Sequence, residues 1–542
     1  MKAGGHLRWR VIVIGLAMSA GAASIEAQTS AAARGAYRIA GTAVDAASGR
    51  PLGRVEVTIG LIAGKPLRQT YATGADGRFS FEGLPAGRYE LSAKRRGYVE
   101  QKYKGHEDYW SAIVAGPGLE TDEIRFAMTA GASLTGHVLD ERGEPIREGR
   151  VLLLEEVSTG RGRRLTKNEE ADLNDLGAYR FGHLGTGDYV VAVIARPWYA
   201  GRYGVDPRET EGPPQSGDID TEVAYPVTFY PGATDAETAD RITLTAGESA
   251  TADLTLAAIE GRSATIKRDS DDPNGAVRLV SVEQYIADGI SETIDPPMNI
   301  DRGAITLIGL PPSRVDVTWT TGSGKSAQEH FSSLNLSERD TTNFMAPTVI
   351  RGVLEGAPGM KVAGMTLKLS VANGTKSFST RVGTAGEFEF HEEMVRHLYS
   401  IEVPQLADAM LGIRAKGADI FSDGLAIQPG RDVELNITAG KAGRLRGRVV
   451  KNGKSVQGIF VALVPEGFED ANNLMRVGES DSDGTFRLED VVAGKYTLIA
   501  VEDGWDGDWR SAEFLRRFVG GGKRIQVGAG AAVTVGEIEA VK

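Results

Sequence analysis

With 542 residues, 41% of them hydrophobic, the chain holds more apolar material than one core organises, since single cores rarely grow past about 250 to 300 residues; it must divide into several. A net charge of −12 disfavours nucleic acid and anionic membrane surfaces as partners. The absence of cysteine excludes disulfides, a thiol nucleophile and lipid attachment at a cysteine, so stability rests on burial.

The chain opens with Lys2, Arg8 and Arg10, an apolar run from Val11 to Met18, and small residues up to Ala27. This three-part form predicts a secretory signal peptide over residues 1–27, cleaved after Ala27. The run is shorter than the ~20 residues that span a bilayer, and no later stretch is long enough. The mature chain is therefore expected to lack a transmembrane segment and to be secreted or held in the periplasm or cell envelope.

A repeat follows. Its clearest copy is Asp76-Gly77-Arg78-Phe79-Ser80-Phe81, continuing through Leu84 and Gly87 to Tyr89. Alternation of apolar and polar residues is the period of a half-buried strand, Asp-Gly supplies a turn position with φ > 0, and Pro85-Ala86-Gly87 turns the chain back. The pattern returns at Asp175 to Tyr189 and at Asp483 to Tyr496, and in all three copies the turn glycine and the tyrosine lie twelve residues apart. Weaker copies run from Asp301 to Val315, where valine replaces tyrosine, and from Gly386 to Tyr399. Upstream of the copies lies an opening of the form x-Gly-x-Val, at Gly41, Gly136, Gly352 and Gly447 and faintly at Gly261. A next strand follows, as in Val55 to Ile59, Val151 to Leu154, Met365 to Leu369 and Ile459 to Leu463, and closing strands are read at 124–128, 252–256, 433–437 and 533–538. About seven short strands per unit are implied.

The expected fold class is all-β: a tandem array of about five small Greek-key β-sandwiches. The divisions read as 36–130, 131–258 with a loop insertion at 204–224, a degenerate unit at 259–345, then 346–440 and 441–542. The insertion, rich in Pro, Gly and acids, and the polar loop 267–273 interrupt the pattern. Helix is expected to be scarce, with a turn or two at 392–397, 470–477 and 511–518.

The order x-Gly-x-Val, Gly-x-Pro (Gly49-Arg50-Pro51, Gly143-Glu144-Pro145), buried strand, then Asp-Gly-x-Phe-x-Phe-x-x-Leu-x-x-Gly-x-Tyr resembles the carboxypeptidase regulatory-like domain, in an exported bacterial type of protein. The resemblance covers 36–130, 131–258 and 441–542, reaches 346–440 less fully and leaves 259–345 poorly matched. It implies transthyretin-like sandwiches, close in shape to the starch-binding-domain-like fold. A sandwich hosts many activities, so fold transfers and function does not.

No catalytic motif stands out. The seven histidines are scattered, and neither His-Glu-x-x-His nor Gly-x-Ser-x-Gly occurs; His391 and His397 lie closest, six residues apart. Gly322-Ser323-Gly324-Lys325-Ser326 lacks the upstream glycine of a phosphate loop and reads as a hairpin turn. Glu479-x-Asp481-x-Asp483-Gly484 distantly resembles a calcium loop, but the same turn recurs elsewhere without the acids and reads as turn chemistry. No catalytic residue, metal ligand or cofactor is assigned, and the protein is not expected to be an enzyme.

Aromatic residues offer the remaining signal. Counting from each turn glycine, Tyr98, Trp198 and Trp505 all fall at position +21, with Tyr199 and Trp509 close behind. Trp505 and Trp509 alternate with Asp506 and Asp508, and Trp198 adjoins Tyr199; flat rings beside acids suit stacking on sugars. The same +21 ring could instead plug the end of a sandwich core. The expected function is a structural or interaction scaffold at the envelope or outside the cell, partnered by another envelope protein; the alternative is carbohydrate binding through these six residues, with polysaccharide as partner.

Overall fold

The structure is a computed structural model that describes residues 36–542 except 107, 160–161, 201–222, 268–276, 288, 301–303, 322–327, 338–344, 372–376, 396, 408, 422–423, 429 and 469–473. The signal peptide 1–27, nearly all of the insertion 204–224, all but the first residue of the loop 267–273 and the Gly322 to Ser326 turn lie outside the described residues.

The described chain is all-β, and its sheets pair around separate cores. In the first sandwich the Asp76-Gly77 turn sets Gly77 at φ +69, a conformation glycine adopts without steric cost. Strand Arg78–Leu84 then buries Phe79 and Phe81 while pairing antiparallel with the opening strand Tyr37–Asp45. After the corner, strand Gly87–Lys94 crosses to the second sheet, pairs with Glu56–Leu61 and buries Tyr89, Leu91 and Ala93 in the same core. The closing strand Ile124–Met128 returns parallel to the opening strand, with Gly41 opposite Ile124.

The same plan recurs. Parallel closing strands flank the opening strands Ala132–Leu139, Met345–Gly356 and Gly443–Lys451. The turn glycines Gly177, Gly386 and Gly484 also have positive φ. In three sandwiches the corner tyrosine donates its hydroxyl to the carbonyl four residues back: Tyr89 to Pro85 at 2.7 Å, Tyr189 to Gly185 at 3.1 Å, Tyr496 to Val492 at 2.7 Å. Each bond contributes about 1 kcal/mol and fixes the Gly-x-Tyr corner. Burial pushes the Tyr189 hydroxyl up to about 12, so it stays a donor at neutral pH.

The third unit also has two sheets. Strands Arg262–Lys267, Ala304–Leu310 and Met298–Ile300 face Ile290–Ile294, Val277–Ala287, Arg314–Thr321 and Gln328–Asn335 across Ile305, Leu307, Val315, Val317 and Trp319. Val315 fills the core from the tyrosine position.

Helix Ala512–Val519 forms where a helical turn was expected, capped by Ser511, whose hydroxyl accepts from the Phe514 N–H. Residues 392–397 correct the expectation: strand Glu387–Val395 stays paired with Met345–Gly356 as far as Met345 opposite Val395, and His397 begins the next strand. Ladder pairing outweighs the local helix preference of Glu-Glu-Met. In 470–477, Arg476 and Val477 belong to strand Arg476–Glu479.

Two sheets have central strands buried on both faces. In strand Gly149–Thr159, Val151 and Leu153 enter the second core, while Leu152 and Leu154 join Val190, Ala192 and Phe229 against Ile286, Ala287 and Ile290 of the third unit. Arg150 and Lys167 reach across to the buried Glu292 carboxylate at 3.0 and 2.5 Å. Strand Phe460–Pro465 is likewise buried throughout, and its outer face carries the candidate site.

Candidate functional site

Val461 and Leu463 fill the last sandwich's core, so Phe460, Ala462 and Val464 must point out of it, as strand periodicity dictates. These residues, with Ile499 and Val501, are covered by the segment Gly504–Asp506, Trp509, and Phe514 and Leu515 of the short helix. Aromatic rings converge there around Trp505. Trp505 meets Phe460 edge-on at 4.9 Å, Trp509 at 5.9 Å and Tyr109 at 5.2 Å, and stacks on the His106 ring at 5.1 Å with an interplanar angle of 2°.

Tyr109 and His106 belong to the first sandwich, so the cluster joins the two ends of the chain. Polar contacts beside the rings carry the same junction. Arg88 grips both oxygens of Asp481 at 2.6 and 3.0 Å, and the Ala112 N–H donates to the same carboxylate at 3.0 Å. Glu479 accepts from the Ser111 hydroxyl at 2.5 Å and meets His106 Nδ1 at 2.9 Å. The Val114 N–H donates to Ser482 Oγ at 2.8 Å, the Ser482 N–H donates to the Ala112 carbonyl at 2.9 Å, and Tyr103 meets Gln457.

Both carboxylates are shut away from water, with side-chain exposures of 0% for Glu479 and 1% for Asp481. Burial raises the Asp481 carboxyl above the usual carboxylate range; the Arg88 and Ala112 bonds act in the opposite direction. Buried ion pairs roughly break even against their desolvation, whereas aromatic pairs contribute about 0.5–1.5 kcal/mol each beyond the area they bury. The rings therefore hold the junction together, and the carboxylates set its register and penalise any other surface.

The sequence-predicted site residues fall into different surroundings. Trp509 is buried, with Arg510 over its face at 3.9 Å, and Trp505 is half-buried with its indole N–H in no hydrogen bond. Asp506 and Asp508 are exposed beside them, and the Asp508 carbonyl accepts from Ser511. Trp198 lies elsewhere, 78% exposed and edge-on to Tyr199, whose hydroxyl donates to Glu141. Tyr98, the remaining +21 ring, is half-buried against the first core and donates to Asp45. Equivalent loop positions thus serve as core plug, exposed ring and junction.

The acidic turn is resolved by the same contacts. Glu479 and Asp481 face the first sandwich, and Asp483 caps its own turn through the Thr485 N–H and hydroxyl. His391 pairs with Glu389, and His397 bonds its neighbour Leu398. Among the described residues no three His, Asp or Glu side chains converge as a metal-binding group, and no helix is long and apolar enough to cross a membrane. Sequence reasoning missed Arg88, His106, Tyr109, Ser111, Glu479 and Asp481 as junction residues. The signal available was the unbroken apolar run Phe460 to Val464, which marks a strand with no solvent face.

Residues 38–128 match the carboxypeptidase regulatory-like domain family. No curated protein matches the chain. Among solved structures, the Bacillus anthracis TIE protein is similar at 11% identity over 90% of this chain and 68% of its own, with a TM-score of 0.14. The shaft pilin SpaA of Lactobacillus rhamnosus GG aligns at 10% identity over 41% of this chain and 97% of its own, with a TM-score of 0.19. GBS52, the minor pilin of Streptococcus agalactiae, aligns at 14% identity over 43% of this chain and all of its own, with a TM-score of 0.20.

Proposed function

We propose that this protein is a non-catalytic, exported scaffold of five β-sandwich modules, divided at 36–130, 131–258, 259–345, 346–440 and 441–542, that presents interaction surfaces to other proteins of the cell envelope. One observation carries the reading: the carboxylates and rings best placed for chemistry or ligand stacking in the last module, Glu479, Asp481, Trp505 and Trp509, are engaged in holding the first module against it. The expected signal peptide supports export. Arg88→Glu puts a second negative charge beside the buried Asp481 and should release the junction, because breaking a buried pair costs about 3–5 kcal/mol. Small-angle scattering should then show a larger radius of gyration with the module melting transitions retained. An unchanged radius would remove the observation on which the reading stands.

A second reading, carbohydrate binding, is favoured by Trp198, whose ring is exposed beside Tyr199 and Glu141. Trp198→Ala should abolish retention on a polysaccharide column that holds the wild-type chain, without altering its melting. Equal retention of the two proteins removes this reading.

A further inference from the structure

The junction joins distant residues, Arg88 and Asp481 being 393 positions apart, and each of its halves is complete on its own module. The donor half is Arg88, His106, Tyr109 and Ser111 with the backbone of Ala112 and Val114. The acceptor half is Glu479, Asp481, Ser482 and Trp505. Nothing in the contact requires the two halves to belong to the same chain.

We propose that the donor half of one copy docks on the acceptor half of a second copy, so that the chain associates with itself head to tail through its first and last modules. The proposal rests on the scaffold reading and names the partner as another copy of this chain. Three observations support it. The surfaces are complementary, Arg88 against Asp481 in charge and His106 and Ser111 against Glu479 in hydrogen bonding, and the buried carboxylates disfavour any partner without matching donors. Both acceptor carboxylates, shut away from water in the closed junction, are rehydrated when the halves part, as expected of a separable contact between modules. The two halves are different surfaces, and a heterologous contact of this kind builds closed rings or open chains of subunits.

Closure within one chain has the advantage of being intramolecular. Exchange between chains is therefore expected where copies are crowded or where self-closure is blocked, and the test blocks it. One chain carries Arg88→Glu with Ser482→Cys, which spoils its donor half and tags its acceptor half, keeping Glu479, Asp481 and Trp505 and replacing only the hydroxyl that accepts from the Val114 N–H with a thiol. The other carries Asp481→Lys with Val114→Cys, which spoils its acceptor half and tags its intact donor half. The natural chain has no cysteine, so each thiol is unique.

Treated with a short bis-maleimide, the mixture should shift from one chain mass to two, while each chain alone stays at one. No more dimer in the mixture than in the separate chains overturns the proposal. A Val114→Cys/Ser482→Cys chain without the charge changes should cross-link internally in dilute solution; failure to do so overturns it as well, because the junction itself would be absent. If Asp481→Lys lowers the melting temperature of the last module, Asp481→Asn with Glu479→Gln replaces it and the same outcomes apply. Turnover found in a substrate screen would end the scaffold reading without moving the dimer band.

Discussion

Phe460→Ala is expected to lower the stability of the last module by about 3–5 kcal/mol, the cost of deleting a buried phenylalanine whose surroundings cannot close over the gap. Phe460 is fully buried and sits between the sandwich and its covering layer, with ring contacts to Trp505 at 4.9 Å, Trp509 at 5.7 Å and Phe514 at 6.2 Å. Collapse is resisted from outside, since Trp505 is pinned by His106 and Trp509 by Arg510. Calorimetry resolving separate transitions is the appropriate measurement, because a multi-module chain does not melt in one step. Phe518→Ala, at a less buried position of the same cluster, should cost less. A loss below about 1 kcal/mol at Phe460 would mean that the outer face of the strand is not packed.

Local rules made the modules legible. The Asp-Gly turns, the alternation at Phe79-Ser80-Phe81 and the Gly-x-Tyr corners each depend on neighbours in sequence, and the structure places Gly77, Gly177, Gly386 and Gly484 at positive φ with the paired strands after them. The junction was not legible, because Arg88 and Asp481 carry no local signature and their pairing depends on how distant modules come together. The aromatic loops show the gap between pattern and surroundings: Trp198 and Trp505 share a repeat position, yet one is exposed and the other stacks on His106. Composition did separate the two kinds of sheet. Val57-Thr58-Ile59 alternates, and Thr58 bonds Thr70 on an exposed face. Phe460-Val461-Ala462-Leu463-Val464 does not alternate, and both of its faces are covered.

The glycine of the x-Gly-x-Val opening is explained by the strand that lies beside it, and this gives the last expected result. None of Gly41, Gly136, Gly352 and Gly447 has positive φ, so backbone freedom is not the reason for glycine there. A Cβ at Gly41 would run into the Ile124 carbonyl oxygen and one at Gly352 into the Leu435 carbonyl oxygen, both on the closing strand, and one at Gly136 into the Ala252 carbonyl oxygen, in the break between the closing strands Ser249–Thr251 and Leu254–Thr255. At Gly447 the nearest atoms are side-chain carbons, Val535 at 2.6 Å and the Phe486 ring at 2.7 Å. Overpacking costs about 1–3 kcal/mol when side chains can adjust and more when backbone must move. Alanine at 41, 136 or 352 should therefore destabilise its own module by more than alanine at 447, with the parallel pairing of opening and closing strands as the part that yields. Gly60→Ala is the control, since its nearest neighbour would be the Leu67 carbonyl oxygen at 4.0 Å. Urea titration of the five variants checks the ranking, and a Gly352→Ala chain as stable as Gly60→Ala would show that the closing strand does not run beside the opening one.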